Sequence, residues 1–272
     1  MPVNILSADK LTFCYNGIEV LQDISFAVHK GDYLGVAGPN GSGKSTLIKN
    51  TSAILVTNLS KHVGEDAIKI EILNGLNLQV AQGESLAIVG SSGSGKSTLL
   101  ALLAGLDVPT SGVVEVGGQP FSVLDEDARA AIRGAQMGFV FQSFQLLSTM
   151  TALENVMLPM QLANKKDAKQ LAIETLEKVG LADRLQHYPK QLSGGEQQRV
   201  AIARAFAPQP EILFADEPTG NLDIATGERI IELLFSLNQA ANTTLILVTH
   251  DVQLAQRCGR TLTLQHGQLS EI

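Results

Sequence analysis

The chain has 272 residues, room for one large domain or two small ones, and its 44% apolar content is enough for a real core. Its balance is acidic, with 20 Lys and Arg against 27 Asp and Glu for a net charge of −7; the excess lies in 51–272, which argues against a nucleic-acid machine with a basic stripe. Two cysteines, Cys14 and Cys258, make no disulfide framework and point to a reducing compartment, and no apolar run approaches the roughly 20 residues of a membrane-spanning helix.

Residues 1–37 alternate in short apolar runs, among them 21–28 and 33–37, which read as strands of period 2. The stretch GPNGSGKST follows at 38–46, and then the pattern restarts. Residues 54–60 mirror 5–11, residues 73–80 mirror 21–28, and GSSGSGKST at 90–98 closes the repeat. Both glycine-rich stretches fit G-x-x-x-x-G-K-[ST]. With Gly at about 7% of residues, one chance match in such a chain is on the order of 1%, so two coincidences are excluded. Glycines let successive backbone N–H groups turn inward around phosphate oxygens at a helix N-terminus, whose dipole favours anions. The second copy has the context this needs: a buried strand at 84–89 before it and an apolar helix at 99–105 after it. The interval from Lys44 to Lys96 is too short to hold a whole domain, so one downstream body completes one site and the first loop is an orphan.

Beyond Gly105 helical spacing recurs at 125–134, 151–163 and 166–179, with a strand at 137–141. A helix from Leu192 to Ala207, a strand at 212–215, a helix at 224–237, a strand at 245–248 and a closing helix and strand complete the chain. Strands alternating with helices predict an α/β fold with a parallel core sheet covered on both faces. The helical block at about 143–200 interrupts the alternation as an inserted subdomain, and the strands before the loop form an antiparallel β subdomain.

Two further segments carry chemistry. The strand at 212–215 runs into Asp216 and Glu217; after a phosphate loop, the first carboxylate is placed to hold Mg²⁺ and the second to polarise a water. The stretch LSGGEQQR at 192–199 puts Ser193, Gly194 and Gly195 at a helix start, with N–H groups available to an anion. Together with the two loops, this segment resembles the signature sequence of ABC-type ATPases. Gln142 matches that family's Q-loop, 221–223 (NLD) its D-loop, and His250 its switch histidine, all in the family's order. The resemblance covers about 53–272. His29, His62, His187 and His266 have no such support and receive no role.

The resemblance implies a P-loop ATPase that drives a membrane permease, acting as a head-to-tail homodimer with ATP sandwiched between subunits. Gly90, Ser91, Gly93, Ser94, Gly95, Lys96, Ser97 and Thr98 would cradle the phosphates of ATP, and Ser193, Gly194 and Gly195 would cap them from the other subunit. Asp216, Ser97 and Gln142 would hold Mg²⁺, Glu217 would be the general base, and His250 would contact the γ-phosphate. The expected location is cytoplasmic, peripheral on the inner membrane, with no nucleic-acid partner. Residues 144–159 and 215–223 look like the lipoprotein-release and macrolide-export group, and Phe144, Leu146, Leu147 and Met150 are candidates for gripping the permease. An ABC-type ATPase of DNA repair, and a regulatory permease partner with little turnover, are the competing readings; the interval from Lys96 to Ser193 lacks the coiled coil or zinc-binding insert usual in the first. The family stacks adenine on an aromatic residue. The first copy has Tyr15 there, whereas the second offers Val63, so weak discrimination between ATP and GTP is expected. Residues 1–50 resemble the start of another such ATPase, a partial duplicate that packs peripherally or poorly.

Overall fold

The computed structural model describes residues 4–15, 18–29, 52–64 and 70–271, with the backbone alone for most of the first two strands. The chain divides into two compact units at Ser52/Ala53. In the first unit, β1 (Asn4–Tyr15) and β2 (Ile18–His29) pair antiparallel from Asn4↔His29 to Tyr15↔Ile18, with several register shifts. The strand expected at 33–37 and the glycine-rich loop at 38–46 lie outside the described residues.

The second unit opens with β3 (Ser52–Val63) and β4 (Ile70–Ala81), which have the same 12-residue length as β1 and β2. They form a four-stranded sheet with β6 (Ser111–Val116) and β7 (Gln119–Pro120), in the order β4-β3-β6-β7. The other sheet has six strands in the order β12-β11-β5-β10-β9-β8, made by β5 (Ser85–Val89), β8 (Met137–Phe141), β9 (Ile212–Asp216), β10 (Thr244–Val248), β11 (Arg260–Gln265) and β12 (Gln268–Glu271). Its members from β11 to β8 run parallel, and β12 is an antiparallel edge. The burial patterns of β9 and β10 explain the parallel geometry: Ile212–Ala215 and all of Thr244–Val248 are buried on both faces, as sheets covered by helices require.

Helix α1 (Lys96–Leu103) lies between the two sheets. Leu99, Leu100, Leu102 and Leu103 are all buried, so most of the helix is packed into the core, while Ser97 in its first turn is exposed. At about 1.5–3 kcal/mol for each fully buried leucine, this packing fixes the direction in which the loop before it opens. Phe214 on β9 stacks on Phe139 of β8 at 5.5 Å in the same core. Helices α2 (Glu126–Gln136), α3 (Ala152–Leu162), α4 (Ala168–Lys178) and α5 (Gly194–Phe206) follow, and a separate apolar cluster binds α3, α4 and α5 into a helical layer. Helix α6 (Ile224–Ala241) runs four residues beyond its expected end and stops where Asn242 turns left-handed at φ 50°. The ending also differs from the expectation of a helix and a strand. The helix α7 (Val252–Ala255) has only four residues, and β11 turns through His266 and Gly267, both at positive φ, into β12.

Candidate nucleotide site

Four strand ends build the site. Register pairs Val248 with both Ile88 and Asp216, and Phe141 with Asp216, so β5, β10, β9 and β8 stop level with one another. The residues that follow each strand, Gly90 onward, Thr249–His250, Glu217 and Gln142, therefore share the carboxyl edge of the sheet, where open α/β sheets bind ligands. A cavity of about 720 Å³ lies there, lined by Ile72, Ser92, Gly93, Gly95, Lys96, Ser97, Thr98, Gln142, Asp216, Glu217 and His250.

The loop between β5 and α1 needs its glycines. A Cβ at Gly90 would stand 2.6 Å from the Leu264 carbonyl oxygen, and Gly95, the N-cap of α1, sits at φ 97°. Lys96 is buried, and its Nζ donates to the carbonyls of Gly90 and Ser91, both at 2.9 Å. The ammonium thus bridges its own loop. Ser94 Oγ is buried without a hydrogen-bond partner.

The Ser97 hydroxyl lies close enough to the Asp216 carboxyl to act on its ionisation. Burial raises the Asp216 pKa above the ordinary carboxylate value, opposed by the Ser97 hydroxyl and raised further by the neighbouring Glu217 charge. Its Oδ1 is buried with no partner. An orphaned carboxylate oxygen beside a hydroxyl fits Mg²⁺, which takes one or two carboxylates and completes its shell with waters and phosphate oxygens. Among the described residues, no group of three or more His, Cys, Asp or Glu is arranged to hold a metal by itself.

Glu217 has φ 46°, a costly conformation for a residue with a Cβ, and its N–H is anchored to Val248 O at 2.9 Å. The turn aims its carboxylate across the edge to His250 Nδ1, 2.9 Å away, and Thr249 Oγ1 donates to it at 3.5 Å. His250 is 72% exposed, so the contact is open to solvent. Gln142 is held at a second point: Asn221 Nδ2 donates to its carbonyl at 2.9 Å, and its side chain lies against Gly220.

The cavity brings together Gly93, Gly95, Lys96, Ser97, Thr98, Gln142, Asp216, Glu217 and His250. Ser193, Gly194 and Gly195 do not line it. They begin α5, where Ser193 Oγ accepts from Glu196 N–H at 3.3 Å and Ser193 N–H donates to Glu196 Oε2 at 2.9 Å. That reciprocal cap, with Arg184 on the other carboxylate oxygen at 3.0 Å, holds Glu196 below its ordinary pKa and fixes the glycines at the helix start.

The sequence alone assigns no role to three residues of consequence. Among the described residues, Ile72 is the one apolar side chain on the cavity wall. Gln198, fully buried, donates to Pro218 O at 2.6 Å and ties α5 to the segment after Glu217. Asn155, also fully buried, holds the loop that follows Gln142. Of the four apolar residues expected to grip a partner, Leu146 packs partly buried against the helical layer, while Leu147 is 43% exposed.

The sequence model described as ABC transporter matches residues 21–69 and 73–220. The chain is 57% identical over 218 residues, 79% of its length and 96% of the relative's, to the uncharacterized ABC transporter ATP-binding protein YbbA of Escherichia coli K12. It is 50% identical over 213 residues, 78% of the chain and 94% of the relative, to the lipoprotein-releasing system ATP-binding protein LolD of Legionella pneumophila. Among solved structures it is similar to the ATP-binding cassette MJ0796, in a dimeric post-hydrolysis state bound to ADP and Pi, with TM-score 0.74 and 40% identity over 80% of this chain and 97% of that one. The chain belongs to the ABC transporter family, as one of its ATP-hydrolysing, ATP-binding subunits.

Proposed function

We propose that this subunit binds Mg-ATP in the cavity at the sheet's carboxyl edge, hydrolyses it in a sandwich of two copies, and so drives a membrane permease. The observation that carries this reading is the division of the set. Lys96, Ser97, Gln142, Asp216, Glu217 and His250 surround one cavity, while the Ser193–Gly195 helix start stands outside it with N–H groups to offer another chain's phosphate. Lys96 exchanges its two loop carbonyls for phosphate oxygens. Ser97, Asp216 and Gln142 would hold Mg²⁺, which when bound would offset phosphate charge. Glu217 orients a water for in-line attack on the γ-phosphorus and accepts its proton. The P–O bond to ADP breaks, giving ADP and inorganic phosphate. His250, on the same carboxylate, keeps Glu217 aimed and reaches the γ-phosphate from its exposed position. Because the cap comes from the second copy, phosphate loss weakens the dimer and couples turnover to opening. Glu217→Gln removes the proton acceptor and keeps the shape, so turnover is lost while ATP holds a dimer on gel filtration. Near-normal hydrolysis by that variant refutes the assignment.

The permease contact belongs to a second cavity, of about 760 Å³, whose walls include Leu106, Met137, Phe139, Leu158, Leu162 and Arg204. Leu162 is 76% exposed on its rim, and Arg204 reaches the carbonyls of Gln145 and Phe144 at 2.6 and 3.0 Å. A helix end of the permease seated there touches the loop that follows Gln142, and with it the nucleotide site. Leu162→Asp is expected to abolish co-purification of a permease from detergent-solubilised membranes; undiminished capture refutes it. The subunit would then lie on the cytoplasmic face of the inner membrane, with a substrate drawn from the membrane or periplasm, as in the lipoprotein-release and macrolide-export group. No helix among the described residues is long and apolar enough to cross a membrane. The relatives do not favour the DNA-repair reading. Residues 1–50 are a stranded copy of the domain's opening; the separate family match at 21–69 and the equal strand lengths support this.

A further inference from the structure

We infer that the base of the nucleotide rests on an aliphatic rim formed by Val63, Ile70 and Ile72, and that the site therefore selects a triphosphate and not a particular base. The inference rests on the nucleotide-site reading above and deepens it. The cavity's polar side chains, such as Lys96, Ser97, Asp216 and Glu217, belong to the phosphate end. Among the described residues its apolar wall is Ile72, whose Cγ2 would lie 3.0 Å from a Cβ placed on Gly95, so it abuts the cradle itself. A nucleotide whose phosphates lie along 93–98 turns its flat, apolar base toward that wall.

The wall continues outward. Ile70 shares a face of β4 with Ile72, two residues along the strand, and is 63% exposed. Asn58 N–H donates to Asn77 Oδ1 and Gly75 N–H to Ser60 Oγ, an antiparallel order that brings the end of β3 alongside the start of β4. Val63, 54% exposed, ends β3 there. Register thus places Val63 and Ile70 next to Ile72, the apolar wall of a cavity that, among the described residues, has no Phe, Tyr or Trp among its lining side chains. Aliphatic contact covers either face of any base. It contributes neither the π-stacking of an aromatic ring nor the hydrogen bonds to a base edge that give strong discrimination.

The test is competition against a fluorescent triphosphate on the full-length chain, using ATP, GTP, CTP, UTP and inorganic tripolyphosphate. For the wild type, the four nucleotides are expected to compete within about threefold of one another. Val63→Tyr supplies a stacking ring and is expected to tighten ATP and GTP about tenfold while leaving tripolyphosphate unchanged. Val63→Ser with Ile70→Ser is expected to weaken all four nucleotides together and again leave tripolyphosphate unchanged. A wild-type preference for ATP over GTP of about thirtyfold or more overturns the inference, as does a Val63→Tyr variant indistinguishable from wild type. Lys96→Ala separates the two readings. Loss of every triphosphate in that variant keeps the site while the base pattern is judged; undiminished binding moves the nucleotide elsewhere and overturns both.

Discussion

Asn155 supports the loop that joins the nucleotide site to the proposed permease groove, and its removal has a cost that can be worked from the hydrogen bonds. The side chain is fully buried. Its Oδ1 accepts from Leu147 N–H at 2.8 Å, and its Nδ2 donates to Leu147 O at 3.1 Å and to Met150 O and Thr151 O at 3.0 Å. Two of those carbonyls have another donor: Leu147 O accepts from Met150 N–H, and Thr151 O from Asn155 N–H. Asn155→Ala therefore orphans two groups, Leu147 N–H and Met150 O. A buried orphan costs about 1–3 kcal/mol, and the exposure of Leu147 lets water reach part of the gap, so the sum is about 2–3 kcal/mol. For a folded unit of this size, each kcal/mol moves Tm by about 2–4 °C, which predicts a fall of about 4–12 °C in calorimetry of the purified chain. Permease-stimulated ATPase falls more than the basal rate, because the loosened loop follows Gln142. Asn155→Asp keeps the volume and the acceptor but turns an anion toward three carbonyl oxygens, so it melts no higher than the alanine variant near neutral pH. A Tm for Asn155→Ala within about 1 °C of wild type refutes the reasoning.

Asp216→Asn should stabilise the nucleotide-free chain while destroying function. The folded pKa is raised, so the stability linked to the protonated form is present below the ordinary carboxylate value and lost as pH rises through the raised one. Near neutral pH, relief of about 1 kcal/mol would raise Tm by roughly 2–4 °C, with no further gain from Mg-ATP; a lower Tm counts against it. Lys96→Ala is expected to abolish ATPase activity while Lys44→Ala leaves it nearly intact, and the reverse outcome makes the first loop the working one. Gly195→Ala puts a Cβ 2.6 Å from Thr226 Cγ2, forcing α5 and α6 apart at the signature helix; ATP-dependent dimerisation, read by gel filtration in the Glu217→Gln background, should fail while monomer ATP binding persists. Burial pushes the Cys258 thiol up to about 12. In a Cys14→Ser background, iodoacetamide labelling should therefore be slow near pH 8 and climb about tenfold per pH unit, and fast labelling near neutrality refutes the buried thiol.

How far the sequence carries the argument depends on how local each signal is. The loop at 90–98 is legible because its glycines, lysine and hydroxyl act within one turn of chain, between a strand and a helix that the same residues dictate. Asp216 and Glu217 are legible because they end a buried strand, and the strand's own apolar run marks where the sheet edge falls. Asn155 has no such mark: an asparagine one turn into a helix is ordinary until the loop it holds has folded back over it. Ile72 is hidden for the same reason. It reads as one apolar residue of an alternating strand, and only the approach of β4 to Gly95 turns it into a wall of the cavity. The groove between α2, α3 and β8 needs three separated segments to meet, so the sequence draws attention to the apolar run beside Gln142, of which Leu146 packs partly buried against the helical layer. The closing hairpin is missed because β11 and β12 are short and the turn between them depends on positive φ at His266 as well as Gly267. These differences share a cause: chemistry carried by consecutive residues is written in the chain, while chemistry carried by neighbours across a fold is written in the register. Positions of the second kind, Ile72 above all, are where a subunit that keeps the whole set of consecutive motifs can still differ from its relatives in what it accepts.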